Sequence, residues 1–317
     1  MSKKEKSCGF RTSIGGQALI EGILMRGPKK QAIVIRKPDG ELEIKEEELT
    51  LLRDKHAILK LPILRGIAGF LESIVKGMKA VTYSAEFMPE DEQEEPGKFD
   101  KWIEEKFGWE KAQKIILAIA VVLGLGLAVG LFTLLPTFLA GLIPGIEGYV
   151  TLRSLIEGVL KLIIFFIYMW LCTRLKDIQR MFAYHGAEHK TIFCYEKGLP
   201  LTVENVKKQS RFHPRCGTSF LLVAIILGVF LGFLIHSDHT LVRMALRLAL
   251  LPLLMGIAYE INRWAGAHDN WLSSVLTWPG KQLQHLTTFE PDEGMIEVAI
   301  CALERVIPEE KGLDSWQ

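Results

Sequence analysis

An uncharged stretch from Ile115 to Leu135, roughly 21 residues long, limits what this chain can fold into more than any other feature. As a helix rising 1.5 Å per residue it is long enough to cross the hydrocarbon core of a bilayer. A second uncharged run, Thr218 to Ile235, holds about 18 residues, near the lower limit for a span. Two interrupted runs add to these. Leu152 to Thr173 carries Glu157 and Lys161, and Leu241 to Tyr259 carries Arg243 and Arg247. The sequence therefore predicts a mainly α, polytopic membrane protein with about four transmembrane helices and a small cytoplasmic α+β domain.

Charge placement predicts the orientation. Residues 174–215 hold Lys176, Arg180, Lys190, Lys197, Lys207, Lys208 and Arg211, whereas Pro136 to Val150 and His236 to Thr240 hold no lysine or arginine. Positive charge stays inside, so that loop and both termini are expected in the cytoplasm, beneath a multi-pass plasma-membrane protein. The division expected is an N-terminal cytoplasmic region, 1–114, a transmembrane bundle, 115–260, with the loop 174–215, and a C-terminal cytoplasmic region, 261–317. A formal net charge of +1 argues against nucleic acid as a partner. The lipid bilayer is the expected partner, with a membrane or cytoplasmic protein beside it. The five cysteines, Cys8, Cys172, Cys194, Cys216 and Cys301, all fall on the cytoplasmic side of this topology and are expected as reduced thiols. No apolar core of signal-peptide type precedes Arg26.

Outside the spans, Ile14 to Pro28 is rich in glycine and is read as tight turns, with Gln17, Glu21 and Arg26 as minor site candidates. A phosphate-loop reading fails for want of a following lysine-serine/threonine pair. Ala32–Arg36 and Glu41–Lys45 around Pro38-Asp39-Gly40 predict a hairpin. Leu64 to Phe87 predicts an amphipathic helix, lying on the membrane or packed on the cytoplasmic domain. Residues 90–97 form an acidic linker. Pro279-Gly280 is expected to break the chain, Pro291-Asp292-Glu293 to open a last helix, and the tail beyond Pro308 to be disordered.

The chemistry lies in His185-Gly186-Ala187-Glu188-His189. On a helix, two histidines four apart share a face one turn apart and can ligate one cation, and Glu188 can take a proton from metal-bound water. His213 and Cys216, at His-x-x-Cys spacing, complete the candidate ligand set. All four would close the coordination sphere of a structural site; three would leave a position for water and catalysis. Glu196, Glu204 and Glu260 are further candidates. The leading expectation is a zinc-type hydrolase at the cytoplasmic face, in which His185, His189 and either His213 or Cys216 bind a divalent metal, with Glu188 as general base. The alternative is a non-enzymatic scaffold or transporter with a structural metal. Glu157 is expected to face Arg243 or Arg247, because intramembrane charges pair or line water. Glu260 and Arg263 stand at helix-end pair spacing.

Several of these segments occur in a characteristic order. They are Gly15-Gly16-Gln17-Ala18, Met25-Arg26-Gly27-Pro28, His185-Gly186-Ala187-Glu188-His189-Lys190-Thr191, His213-Pro214-Arg215-Cys216-Gly217-Thr218, Tyr259-Glu260-Ile261, and Thr287-Thr288 with Glu290-Pro291-Asp292. This order resembles the bacterial YqhQ-like family, catalogued as a domain of unknown function (DUF1385). The resemblance implies a multi-spanning membrane protein and a metal-dependent enzyme of unknown reaction. Phe289 departs from the family pattern, which has a basic residue there.

Overall fold

The computed structural model describes residues 10–89, 97–146, 148–268, 270–310 and 312–316. The acidic linker lies almost wholly outside them, as does Cys8. The described part is mainly helical, with one four-stranded antiparallel sheet of order β1-β2-β3-β4. The chain divides into two compact units. One comprises Met1–Phe87, Met169–Ala224 and Met255–Gln317, the other Met88–Tyr168 and Ile225–Leu254.

In the first unit the sheet is β1 (Gly15–Leu19), β2 (Gly22–Arg26), β3 (Lys30–Arg36) and β4 (Leu42–Glu48). The glycine-rich segment is thus strand rather than loop, a correction to the sequence reading. Gly16 and Gly22 are small where neighbouring backbone comes close: a Cβ would lie 2.6 Å from Leu24 O and from Val34 O, respectively. The expected hairpin is β3–β4, turning at Gly40 with φ +87°. Alternation along the strands gives the sheet two buried faces. Ile23, Met25, Ala32 and Val34 pack with residues of the later helices. Leu24, Ile33 and Ile35 pack with Ala80 of the amphipathic helix.

After a short turn of helix, α1 (Leu52–Lys55), that amphipathic helix is α2 (Leu64–Ala85). It buries Gly66, Ala68, Gly77 and Ala80, so its narrow face meets protein. The unit continues through α7 (Lys176–Glu196), α8 (Val203–Lys207), α11 (Trp271–Thr287) and α12 (Glu293–Glu304). The last helix starts where Pro291-Asp292-Glu293 predicts, with the Asp292 carboxylate accepting from Met295 N at 2.8 Å.

Two sequence expectations fail here. Pro279-Gly280 does not break the chain, because α11 runs through it. The buried residues Ser273, Thr277, Gly280, Gln284 and Thr287 recur at helical spacing, so packing of a small, polar stripe holds the helix despite the proline. The tail is ordered at 312–316. Buried Asp314 accepts from Thr12 Oγ1 at 2.7 Å and from Tyr195 OH at 3.0 Å, and Trp316 N donates to Arg11 O at 2.9 Å.

The second unit contains α3 (Lys98–Phe107) and α4 (Trp109–Val129), which continues through a π turn (Gly130–Leu134) into α5 (Leu135–Gly141). Its boundaries fall within α6 (Val150–Cys172), α9 (Gly217–Gly232) and α10 (Thr240–Ala267). Among the described residues three segments are long and apolar enough to cross a membrane: Lys111–Gly141, Val150–Cys172 and Thr240–Ala267. Val122, Leu123 and Leu127 are 68%, 66% and 68% exposed, an apolar surface that suits lipid and points to a membrane protein. The fourth apolar run lies in α9, whose 16 residues fall short of the roughly 20 of a typical span.

Candidate functional site

Helix α7 carries His185, Glu188, His189 and Glu196, and one glycine decides where it sits. A Cβ on Gly186 would lie 2.0 Å from the Phe289 carbonyl oxygen, so only glycine lets α7 approach the strand-like segment after α11. That approach brings the Thr287 carbonyl within 2.8 Å of His185 Nδ1. His189 Nδ1 lies 2.6 Å from the Arg211 carbonyl. A carbonyl only accepts, so both rings carry a proton on Nδ1 and leave Nε2 to meet other groups. This backbone-fixed tautomer is the usual arrangement of metal-ligating histidine.

Cys216, the residue before α9, completes the cluster. His185 Nε2 is 3.1 Å from Cys216 Sγ. His189 Nε2 is buried and has no hydrogen-bond partner among the described residues. One ligand atom from each of His185, His189 and Cys216 lies within 4.8 Å of the other two. Thr218, in the first turn of α9, donates to the sulfur from Oγ1 at 3.3 Å and from N at 3.5 Å. Burial pushes the Cys216 thiol up, but the two imidazoles outweigh it and hold the group well below the usual thiol range. Burial likewise pushes His185 down. The sulfur, Glu188 and the Thr287 carbonyl reverse that and bring it to about 9, so near pH 7 Nε2 carries a proton towards the sulfur, which an incoming cation would displace. Such a set of soft and borderline donors fits a zinc-type ion.

Glu188 sits beside this cluster, its Oε1 accepting from Gly16 N at 2.8 Å. A Cβ on Gly16 would also lie 3.1 Å from the Glu188 carboxyl carbon, so glycine at that point of β1 makes room for the carboxylate. Burial raises its pKa, with His185 and His189 opposing. Gly16, Arg26, His185, Glu188, His189 and Cys216 all line one cavity of about 770 Å³.

His213 also lines the cavity but is engaged differently. Its backbone is clamped by Gln284, which accepts from His213 N and donates to His213 O, each at 2.7 Å. Its Nδ1 accepts from Arg215 N at 3.3 Å, and its Nε2 is 3.5 Å from Glu196 Oε2. Burial drives it down to about 4, so the ring is neutral near pH 7. The structure therefore gathers His185, His189 and Cys216, and holds His213 against Glu196 and Arg215. The other carboxylates lie elsewhere. Glu196 also accepts from Thr12 N at 3.0 Å, Glu204 is exposed on α8, and Glu260 forms a two-pronged pair with Arg65 rather than with Arg263. Of the minor N-terminal candidates, Gln17 and Arg26 line the cavity, and Glu21 pairs with Arg180 at 2.5 and 2.6 Å.

Sequence reasoning missed Gly16 as a donor to Glu188, and the Thr287 and Arg211 carbonyls. The glycine pair before a buried strand is a usable signal for the first. Backbone carbonyls leave no signal in side-chain identity.

A family model described as "Protein of unknown function (DUF1385)" matches residues 61–309. The chain is 37% identical over 289 residues to the "Uncharacterized protein YqhQ" of Bacillus subtilis (strain 168), covering 90% of this chain and 89% of that protein. No solved structure matches.

Proposed function

The chain belongs to the DUF1385 family of unknown function, and we propose that it is a zinc-type, metal-dependent hydrolase working at the cytoplasmic face of the plasma membrane. The observation that carries this reading is the convergence of His185, His189 and Cys216 with both Nδ1 atoms committed to backbone carbonyls. Three protein ligands beside an open cavity favour a catalytic over a closed structural site. His213, turned towards Glu196, weighs against the four-ligand alternative. A divalent ion there supplies a Lewis acid and a bound water of lowered pKa.

The remaining chemistry belongs to the chain. Glu188, oriented by the Gly16 N–H, accepts a proton in the cavity and returns it to the leaving group. Arg26 lines the same cavity with Nε and Nη2 buried and without a hydrogen-bond partner. A substrate with a carboxylate or phosphate group beside its acyl or phosphoryl bond suits that guanidinium. The lysine and arginine of residues 174–215, with none in 136–150, support the cytoplasmic orientation.

Elemental analysis of detergent-purified protein tests the ligand set. We expect stoichiometric zinc in the wild type and in Glu188→Gln, and its loss in His185→Ala/His189→Ala. Turnover of an anionic ester should fall roughly 10²–10⁴-fold in Glu188→Gln. Full metal content in the double-histidine variant would overturn the assignment. The 3.1 Å contact of Cys216 Sγ with His185 Nε2 favours one competing reading, a thiolate nucleophile activated by its imidazole. Activity that survives chelation but not alkylation of Cys216 would select it. Metal retained without any turnover would select the scaffold or transporter.

A further inference from the structure

The second unit buries five ionisable side chains, and their charges do not cancel. Arg153, Lys161, Arg243 and Arg247 are each no more than 7% exposed, and the carboxylate of Glu157 is 1% exposed. Four cations against one anion leave a formal excess of three positive charges, and among the described residues of this unit no second buried carboxylate joins them. In a membrane segment such an excess is costly, and ionisable groups there mark binding sites or pathways.

Most of the arginine donors have partners. Glu157 accepts from Arg243 Nε at 3.0 Å, lies 3.3 Å from Arg153 Nε, and pairs with Arg247. Arg243 Nη1 donates to Ile235 O at 2.8 Å and Nη2 to Ser154 Oγ at 2.9 Å. Arg153 Nη1 donates to Asp238 O at 2.9 Å and Nη2 to Thr240 Oγ1 at 2.7 Å. Arg153 Nε has only its ion-pair contact with Glu157 and no hydrogen bond, and two further groups are left over. Arg247 Nε is buried without a hydrogen-bond partner. Lys161 makes no hydrogen bond or ion pair among the described residues, although it is only 7% exposed.

These two side chains line one small cavity of about 20 Å³, together with Gly228 and Gly232. The glycines stand one turn apart on α9 and clear space for the cations. A Cβ on Gly232 would lie 2.7 Å from Arg247 Nη2, and one on Gly228 would touch Lys161 Nζ at 3.4 Å. The space suits about one water-sized group, too small for phosphate or a lipid headgroup. We propose that this cavity, between Lys161 and Arg247 against the glycine face of α9, binds a small monovalent anion of halide size. The ion supplies charge that Glu157 alone cannot, and its nearest counter-groups are the Lys161 ammonium and the Arg247 guanidinium.

The test is thermal unfolding of the detergent-purified full chain in sodium chloride, bromide or gluconate at matched ionic strength, with equilibrium dialysis against radioactive chloride. A saturable rise of roughly 3–6 °C in chloride and bromide over gluconate is expected, with about one chloride retained per chain. Lys161→Met should abolish both effects and be at least as stable as wild type in gluconate, since it removes a buried unpaired charge of similar length. Should methionine prevent folding, Lys161→Gln serves with the same readouts. Equal midpoints in all three salts with no retained chloride would overturn the proposal. So would a halide dependence that survives both substitutions, since the ion would then bind elsewhere.

Discussion

The first unit gathers lone pairs around α7, whereas the second gathers N–H donors around Glu157. His185 and His189 donate through Nδ1 to carbonyls, which leaves two Nε2 atoms and a sulfur free to ligate within one small cluster. Around Glu157 three guanidinium groups share one carboxylate, and the Lys161 ammonium is left without a partner among the described residues. A buried polar group without a partner carries a desolvation cost of about 1–3 kcal/mol. Opposite deficits therefore call for opposite guests, a cation in the first unit and an anion in the second. The difference is one of hydrogen-bond bookkeeping rather than of overall charge, since the chain as a whole is nearly neutral.

The severest way to break this comparison is Glu157→Gln. It removes the one carboxylate that three arginines share among the described residues, and losing one partner of a buried ion pair typically costs about 3–5 kcal/mol. We expect a large fall in the unfolding midpoint and a deeper dependence on chloride, because the anion becomes the sole counter-charge. A midpoint within a degree or two of wild type would mean that the arginines are hydrated, and the donor surplus would lose its force.

Gly186→Ala sharpens the other half. The new methyl would meet Phe289 O at 2.0 Å, and neither partner is a flexible side chain, so α7 or the 287–289 segment must shift. Overpacking of this kind costs about 1–3 kcal/mol. The shift also pulls Thr287 O from His185 Nδ1, so zinc affinity should fall about 10–100-fold, as for other outer-shell losses. Metal titration of the folded variant measures this. Unchanged affinity would show that the Thr287 carbonyl does not set the tautomer of His185.

The two clusters were unequally legible. The second is legible in part: a charge inside an apolar run has few ways to be satisfied, so Glu157 is expected on Arg243 or Arg247, but Arg153, the third arginine on that carboxylate, escapes the sequence reading. In the first, the i,i+4 histidines and Cys216 were legible because metal ligation restricts residue types. His213 was not, because its fate depends on Glu196 and Gln284, which lie 17 and 71 residues away and carry no motif. The strands β1 and β2 were hidden by their glycines, which there serve close backbone approach instead of turns. Helix α11 is hidden because its buried stripe is mostly small or polar, and Pro279 carries the signal of a stop. The tail was misread for a similar reason. Asp314 is held by Thr12 and Tyr195, partners that only the folded chain brings near.

Glu196 makes the smallest and most specific prediction, because it tells whether the first unit compensates its remaining charges internally. Burial raises its pKa, but His213, Arg215 and Thr12 N outweigh this and leave it below the usual carboxylate range. A depressed folded-state value means that the unfolded chain takes up the proton first. The contribution of Glu196 is therefore complete above the ordinary glutamate pKa, about 4.3, and fades as pH falls through the lower folded value. His213, neutral near pH 7, adds little to the pair there. Unfolding midpoints of wild type and Glu196→Gln should differ by the same amount from pH 7 down to the ordinary glutamate pKa of about 4.3, and converge only as pH falls below it. The zinc content of the variant should match wild type, since Glu196 is spent on Arg215 and Thr12. A pH-independent difference would mean that folding leaves the Glu196 carboxyl titrating as it does in the unfolded chain. Loss of zinc in Glu196→Gln would instead tie the His213 pair to the metal cluster and revive four-fold ligation.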